Sequence, residues 1–388
     1  MHRLKPARRL KPAPLCKTVV VPLLLASALS ADSNIFTTVV CAATEQHSRN
    51  TEGDVVRLRD GSLLLAYSEY IGSNSSDFAN ARISAKTSRD GGHTWSEPFV
   101  LMANTGKMNV TSPSLLRLRS GKLALAYAIK NSTADNRVFF RVSGDEGKTW
   151  SEPVRITRSE RYWGINNARL IQLRSGRLLA PLWGVDDWNK SHHTMATVFT
   201  SDDEGRTWQE GQTVDIPAGH RGADEPGVVE LRDGRVLMII RSDLGKIYRA
   251  YSSDRGAHWT AAEPTSLDSP TAPATIARIP STGDLLLVWN HHPPGATHMQ
   301  DRFPLTAAIS RDDGTSWEQI RNLDETPGYT FAYTSITFVK PDQALLTYYA
   351  ANELPGDKQR RQIPGEQAER RMFSLKLKLV PIAWFYGK

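Results

Sequence analysis

The sequence predicts an all-β protein, a six-bladed β-propeller. Three observations carry that expectation. An eight-residue turn motif, S-x-D-x-G-x-x-W, occurs five times, beginning at Ser88, Ser143, Ser201, Ser252 and Ser310. A second unit, an apolar strand, a turn and another apolar strand, occurs six times and interleaves with the first. The apolar runs are short and bounded by turn residues, which excludes coiled coils and helical repeats. Self-similarity at a period of 51 to 58 residues is the mark of a solenoid, a propeller or an array.

The S-x-D-x-G-x-x-W copies keep Asp and Gly at fixed offsets: Asp90 and Gly92, Asp145 and Gly147, Asp203 and Gly205, Asp254 and Gly256, Asp312 and Gly314. Asp bonds its own backbone in tight turns, and Gly supplies positive φ. The Trp three residues on, such as Trp95 or Trp150, can fold back as an apolar cover. These acids are therefore read as staples of a β-hairpin and not as catalytic groups.

The second unit runs from Leu58 to Tyr67, Leu118 to Tyr127, Leu173 to Leu182, Leu231 to Ile240, Ile279 to Trp289 and Phe338 to Tyr348. Its turns carry Asp60-Gly61, Ser120-Gly121, Ser175-Gly176, Asp233-Gly234, Thr282-Gly283 and Pro341-Asp342, mostly hairpin dipeptides. One period thus holds two turns and four strands, and four-stranded units repeated about an axis make a propeller. The sixth unit lacks the Trp-bearing turn. Its outer strands are expected from Met372 to Leu379 and from Ile35 to Ala42, so that both ends of the chain close one blade and leave no open edge. The charged stretch from Asn352 to Arg371 reads as a loop.

Ahead of the repeats, residues 1–31 have the order of a secretory signal peptide: six Lys or Arg between His2 and Lys17, an apolar run from Val19 to Leu29, then small residues. The run is too short to span a bilayer, so the expectation is a single propeller domain over residues 32–388, secreted or periplasmic, with no membrane span. The 48 Lys and Arg against 41 Asp and Glu fall to 42 against 41 once residues 1–31 are removed, which gives no case for nucleic-acid binding. Cys16 belongs to the leader, which leaves Cys41 alone and no internal disulfide. Asn74, Asn109, Asn131 and Asn189 begin N-x-S/T sequons.

The repeated Asp-box turns on a six-bladed propeller resemble the sialidase (neuraminidase) superfamily, over essentially the whole of residues 32–388. The resemblance assigns roles residue by residue. Glu225 opens and Arg241 closes a strand–turn–strand unit, and an antiparallel hairpin brings those ends together at one rim. Arg302 lies eight residues ahead of the Asp box at Ser310, and Tyr333 begins Tyr-Thr-Ser before the last unit. The resemblance implies Tyr333 as nucleophile, Glu225 as its base, Arg241 and Arg302 as ligands of a substrate carboxylate, and a glycan substrate with no cofactor. Arg binds carboxylates through paired, charge-assisted bonds. A Tyr nucleophile avoids the repulsion that a carboxylate nucleophile would meet. All these residues fall at one rim, as a propeller's binding site requires.

The first unit departs from the pattern. Counting back from Asp60-Gly61 places Glu52, not Arg49, where the family carries its first Arg, so Arg49 or Glu52 fills that corner. The general acid/base is expected from the loop before the first Asp box, as Asp77 or alternatively Glu69. Asn166, Asn167 and Arg169 are further mouth residues, with Arg169 a candidate substrate ligand. His291 and His292 lack the Cys or carboxylate spacing of a metal site, so no metal is expected.

Overall fold

The computed structural model describes residues 35–292, 301–352 and 371–388. The expected leader, residues 1–31, lies outside the described residues, as does most of the expected loop, residues 353–370.

The strands pair into six antiparallel sets, each running from the axis outward. Set I holds Arg49–Arg57, Leu63–Tyr70, Ala81–Ser88 and Phe99–Met102. Set II holds Asn109–Arg117, Leu123–Ser132, Asp135–Ser143 and Val154–Arg155. Set III has an inner strand broken into Tyr162–Gly164 and Ile171–Gln172, then Leu178–Val185, Met195–Ser201 and Gln209–Val214. Set IV holds Asp224–Glu230, Val236–Arg241, Lys246–Ser252 and Glu263–Asp268. Set V holds Thr275–Arg278, Leu285–Asn290, Leu305–Ser310 and Glu318–Asp324. Set VI holds Tyr329–Lys340, Gln343–Asn352, Phe373–Pro381 and, from the other end of the chain, Phe36–Cys41. The last pairing runs Phe36 against Leu379 to Val39 against Lys376. The innermost strands of sets VI and I also touch, which closes the ring as a β-propeller.

Apolar side chains alternate on both faces of the middle strands, because each blade packs against two neighbours. Between blades II and III, for example, Ala126, Phe140, Trp163, Leu182 and Phe199 form one buried layer. Trp163 packs edge-on to Phe199 at 5.1 Å.

The Asp boxes form as their side chains predict. In each copy the Ser hydroxyl donates to the Asp carboxylate and accepts the Gly N–H. The same carboxylate accepts the N–H four residues on. Each box begins opposite the first residue of its blade's second strand, as in Leu63 with Ser88 and Leu285 with Ser310. That puts the boxes on the face of the hairpin turns, away from the other rim. The staples are not equal. Trp208 and Trp259 are buried and donate to Gly205 and Gly256, whereas Trp150 is half-buried and its indole nitrogen has no partner among the described residues.

One backbone device recurs in the innermost strands. The ladder slips between Thr51 and Asp54, Thr111 and Ser114, Asp224 and Gly227, and Ala332 and Ser335. At each slip one residue takes positive φ: Glu52 at 56°, Ser112 at 60°, Glu225 at 43° and Tyr333 at 53°. A β-bulge leaves one residue unpaired and re-aims its side chain. A side chain in the left-handed region costs on the order of 1–3 kcal/mol, and such positions gather at functional sites. Ala168, at 54°, holds the corresponding place in blade III.

Below the bulges a cavity of about 890 Å³ opens toward the turn face, with Asp54, Ala168 and Thr275 in its lining. Burial pushes the Asp54 carboxyl up to about 7, although it accepts the N–H groups of Leu115 and Val55.

Candidate active site

Opposite the Asp boxes, the mouth is built from the bulged residues and from the strand ends beside them. Tyr333 and Glu225 come from bulges in blades VI and IV, and the Tyr333 hydroxyl donates to Glu225 Oε1 at 3.0 Å. Arg241 faces Glu225 across its own hairpin, as the spacing predicts, and its Nη1 bonds Glu225 Oε2. Asp224 stands 3.8 Å from the same guanidinium. Arg302 lies over the Tyr333 ring at 5.6 Å and donates to the Tyr349 hydroxyl at 3.0 Å. Thr271 holds both cations: its hydroxyl accepts from Arg241 at 3.2 Å and its carbonyl accepts from Arg302 at 3.3 and 3.1 Å.

The charges settle which groups carry protons. Burial would raise the Glu225 carboxyl, but Arg241 and Arg302 outweigh it and hold it below its usual range. Burial and the Glu225 charge push the Tyr333 phenol above its usual range, against the pull of Arg302 and Arg241. The resting pair is therefore a neutral phenol donating to an ionised carboxylate.

Across the mouth, Arg49 is the first residue of the inner strand of blade I and its guanidinium reaches in. It bonds Asp77 Oδ1 at 2.5 Å and the Ser75 carbonyl at 3.2 Å, and it lies over Tyr70 at 4.5 Å. Glu52 occupies the bulge itself, as the register predicts. Its Oε2 accepts the Ser68 and Ser112 hydroxyls at 2.6 and 3.2 Å, and its Oε1 is 3.9 Å from Arg49. Arg49 and Glu52 thus share the corner.

Asp77 keeps 68% of its side chain open to the mouth. Burial by the surrounding walls would raise its carboxyl, but Arg49 and Lys130 outweigh that and hold it at about 2. Lys130, not singled out in the sequence, and Asn109, noted there only as a sequon, fix the loop by donating to the Asp77 carbonyl at 2.8 and 3.0 Å. Glu69 is engaged elsewhere: it takes Arg82 at 2.8 Å, the Ser84 hydroxyl at 2.6 Å and His47 at 3.3 Å. Of the two acids weighed, Asp77 is the one in the mouth.

Blade III differs from expectation. Arg169 commits both terminal nitrogens to blade V, on the Thr275 hydroxyl at 3.2 Å and the Ala274 carbonyl at 3.0 Å, and so ties blades together beneath the mouth. Asn167 crosses the axis to the Gly53 carbonyl at 2.7 Å and the Tyr333 carbonyl at 3.1 Å, which holds the backbone of the bulged Tyr. Asn166 does face the mouth, beside Glu225. Asn109 is fully buried, so its sequon is closed in the folded chain. His291 packs on Trp289 at 5.5 Å. Among the described residues no three His, Cys, Asp or Glu gather as a metal site, and no helix is long and apolar enough to cross a membrane.

Comparison with known proteins bears on this geometry. The model of the BNR repeat-like domain matches residues 61–343. A sialidase of Micromonospora viridifaciens is 30% identical over 320 residues, covering 72% of this chain and 46% of that protein. A sialidase of Bacteroides fragilis (strain YCH46) is 23% identical over 338 residues, covering 76% of this chain and 58% of that protein. The chain spans about half the length of the curated relatives it matches. Among solved structures, a Hadza microbial sialidase superposes with a TM-score of 0.69 at 19% identity, covering 90% of this chain and 69% of that one.

Proposed function

The chain belongs to the BNR repeat-like family within the sialidase superfamily, and from that premise we propose that it is a secreted, retaining exo-α-sialidase that releases terminal sialic acid from glycoconjugates. The observation that carries the reading is the hydrogen bond from the neutral Tyr333 phenol to the ionised Glu225 carboxylate. It supplies a nucleophile with its base already in line.

In the reaction, Arg241 and Arg302 take the sialate carboxylate, joined by Arg49 from the far wall. The Tyr333 oxygen attacks the anomeric carbon and its proton passes to Glu225. The glycosidic C–O bond breaks, and Asp77 gives its proton to the leaving oxygen. Water then attacks the anomeric carbon as its bond to the Tyr333 oxygen breaks, the water's proton goes to Asp77, and Glu225 returns a proton to the freed Tyr333 oxygen. Two displacements at one carbon retain its configuration.

Asp77 must carry a proton for the first step, yet Arg49 holds it ionised in the free chain. A carboxylate arriving at Arg49 draws on the same guanidinium. That weakens its hold on Asp77 and raises the acid's pKa where the proton is needed.

A second reading rests on Glu52. It sets an anion beside Arg49, where a three-Arg clamp needs only donors. That corner suits a different acidic sugar, a uronic acid, which this propeller would cleave as a glycosidase or lyase or hold as a lectin. Hydrolysis of an aryl α-sialoside, with the product anomer followed by NMR, tests the first reading. Turnover of aryl uronides but not of the sialoside supports the second, and binding without turnover of either supports the lectin.

A further inference from the structure

The turn face carries a space that the chemistry above leaves unused. The cavity of about 890 Å³ lies on the axis, since the inner strands of all six blades line it. Its size falls within the ~300–1,000 Å³ of small-molecule sites. Tyr333, Glu225, Arg241 and Arg302 are not in its lining, so it is distinct from the mouth.

The inner wall is apolar. Leu116, Ile171, Ile336 and Phe338, from blades II, III and VI, line the cavity and are only half-buried. Each keeps apolar surface uncovered inside the ring, where a flat partner cannot follow and a slender chain can. The one acid on the deep wall, Asp54, adjoins the blade I bulge and is committed to the N–H groups of Leu115 and Val55 at 2.6 and 2.9 Å. Burial pushes its carboxyl up to about 7, so at mildly acid pH the deep wall carries no charge there.

The outer wall is basic. Arg57, Arg117 and Arg278 end the inner strands of blades I, II and V, and Arg59 and Arg174 lie in the turns that follow the inner strands of blades I and III. Three acids answer these five cations. Glu146 takes Arg117 at 2.6 Å and Arg59 at 3.4 Å, Glu230 takes Arg174 at 3.3 Å, and Asp313 takes Arg278 at 2.9 Å. Arg57 is exposed, and none of these acids pairs with it. The excess of positive charge repels a cationic head and suits an anionic one, and a guanidinium binds a carboxylate through paired, charge-assisted bonds.

We infer that this cavity is a binding site for a fatty acid, with the alkyl chain along the axis among Leu116, Ile171, Ile336 and Phe338 and the carboxylate at the rim on Arg57. The inference is independent of the hydrolase reading. Dodecanoate below its micelle concentration would be titrated into the full chain by calorimetry, beside dodecanol and dodecyltrimethylammonium. One dodecanoate should bind per chain, about tenfold or more tighter than either other probe, equivalent to about 1.4 kcal/mol. Arg57→Glu should weaken it about tenfold with sialoside turnover unchanged, and added salt should weaken binding by the wild type. In methyl NMR the Ile171 and Ile336 signals should shift with the calorimetric midpoint, while that of Ile83, buried between blades I and II, stays in place. No saturable binding of dodecanoate, equal affinity for all three probes, or shifts that miss Ile171 and Ile336 would overturn the site. The wild-type probe series and methyl shifts decide it even if the Arg57 variant does not fold.

Discussion

Replacing Glu225 with Gln keeps the shape of the side chain and removes its charge and its basicity. Tyr333 then keeps a hydrogen-bond acceptor but loses the group that takes its proton. General-base catalysis contributes about 100- to 10,000-fold, so kcat should fall by that range. The same change frees Arg241, whose Nη1 Glu225 occupies. Breaking a buried ion pair by removing one partner costs about 3–5 kcal/mol. Here Asp224, 3.8 Å away, still compensates the guanidinium, so the cost should fall to about 2 kcal/mol. At roughly 2 °C per kcal/mol for a chain of this size, the melting temperature should drop by about 4 °C. A freed Arg241 should also hold an anion better. Binding of a sialic-acid analogue should tighten by up to about 1.5 kcal/mol, within the range of a charged hydrogen bond. Steady-state kinetics, inhibitor titration and thermal melting on one preparation read all three. A variant that kept more than about a tenth of the wild-type kcat would refute Glu225 as the base, because even the low end of base catalysis is larger. Weaker inhibitor binding would refute the placing of the substrate carboxylate on Arg241.

Trp208→Ala should destabilise the fold by about 3–5 kcal/mol, since the indole is buried on Phe140 at 5.3 Å. Trp150→Ala, half-buried, should cost about half as much by chemical denaturation, and neither should change KM. Arg49→Met should weaken a sialic-acid analogue by about 1.5–3 kcal/mol and leave an uncharged counterpart unaffected in the same titration. It should also raise the Asp77 carboxyl from about 2, read by carbon NMR of its side chain. The sign follows from the depressed value: the Arg49–Asp77 pair stabilises the wild type above pH about 4 and loses that contribution as pH falls toward about 2, a loss absent from the variant. Asp54 behaves in the opposite sense. With its carboxyl raised to about 7, its contribution is full below about pH 4 and is lost as pH rises through about 7, so Asp54→Asn should flatten the melting temperature over that interval. The Cys41 thiol, buried and pushed up to about 12, should resist alkylation at pH 8 until the chain is unfolded, as mass spectrometry would record.

Turn chemistry made the architecture legible. Asp and Gly must sit at fixed offsets to staple a turn, so the boxes marked one face before any strand was placed. The pairing of Glu225 with Arg241 followed from hairpin geometry. Glu52 aligned correctly because the bulge recurs with the same offset in blades I, IV and VI, so a count from one turn transfers to the next. What could not be counted was reach. Arg49 enters the mouth from three residues earlier because a long side chain lies across Tyr70 and the Ser75–Asp77 loop folds to meet it. Thr271 was invisible for a related reason, since it holds two cations through a carbonyl as well as a hydroxyl, and every residue has a carbonyl. The Asn109 sequon misled because the motif describes chemistry and says nothing of burial. Arg169 misled because its terminal donors were claimed by blade V, which a count along the chain cannot show.

The pairing of Phe36–Cys41 with Phe373–Pro381 has a consequence for the life of the chain. A strand made near the beginning waits for one made near the end, so the first blade to start is the last to be sealed. Contacts of such separation fold slowly and leave sheet edges open in the meantime. The same seam sets Arg49 and Phe373 side by side, and Tyr333, the proposed nucleophile, belongs to the blade being sealed. A growing chain with five finished blades therefore has Glu225, the proposed base, but not the closed ring that presents Tyr333 to it. Closure and competence arrive together, and a strand lost from either side of the seam removes both.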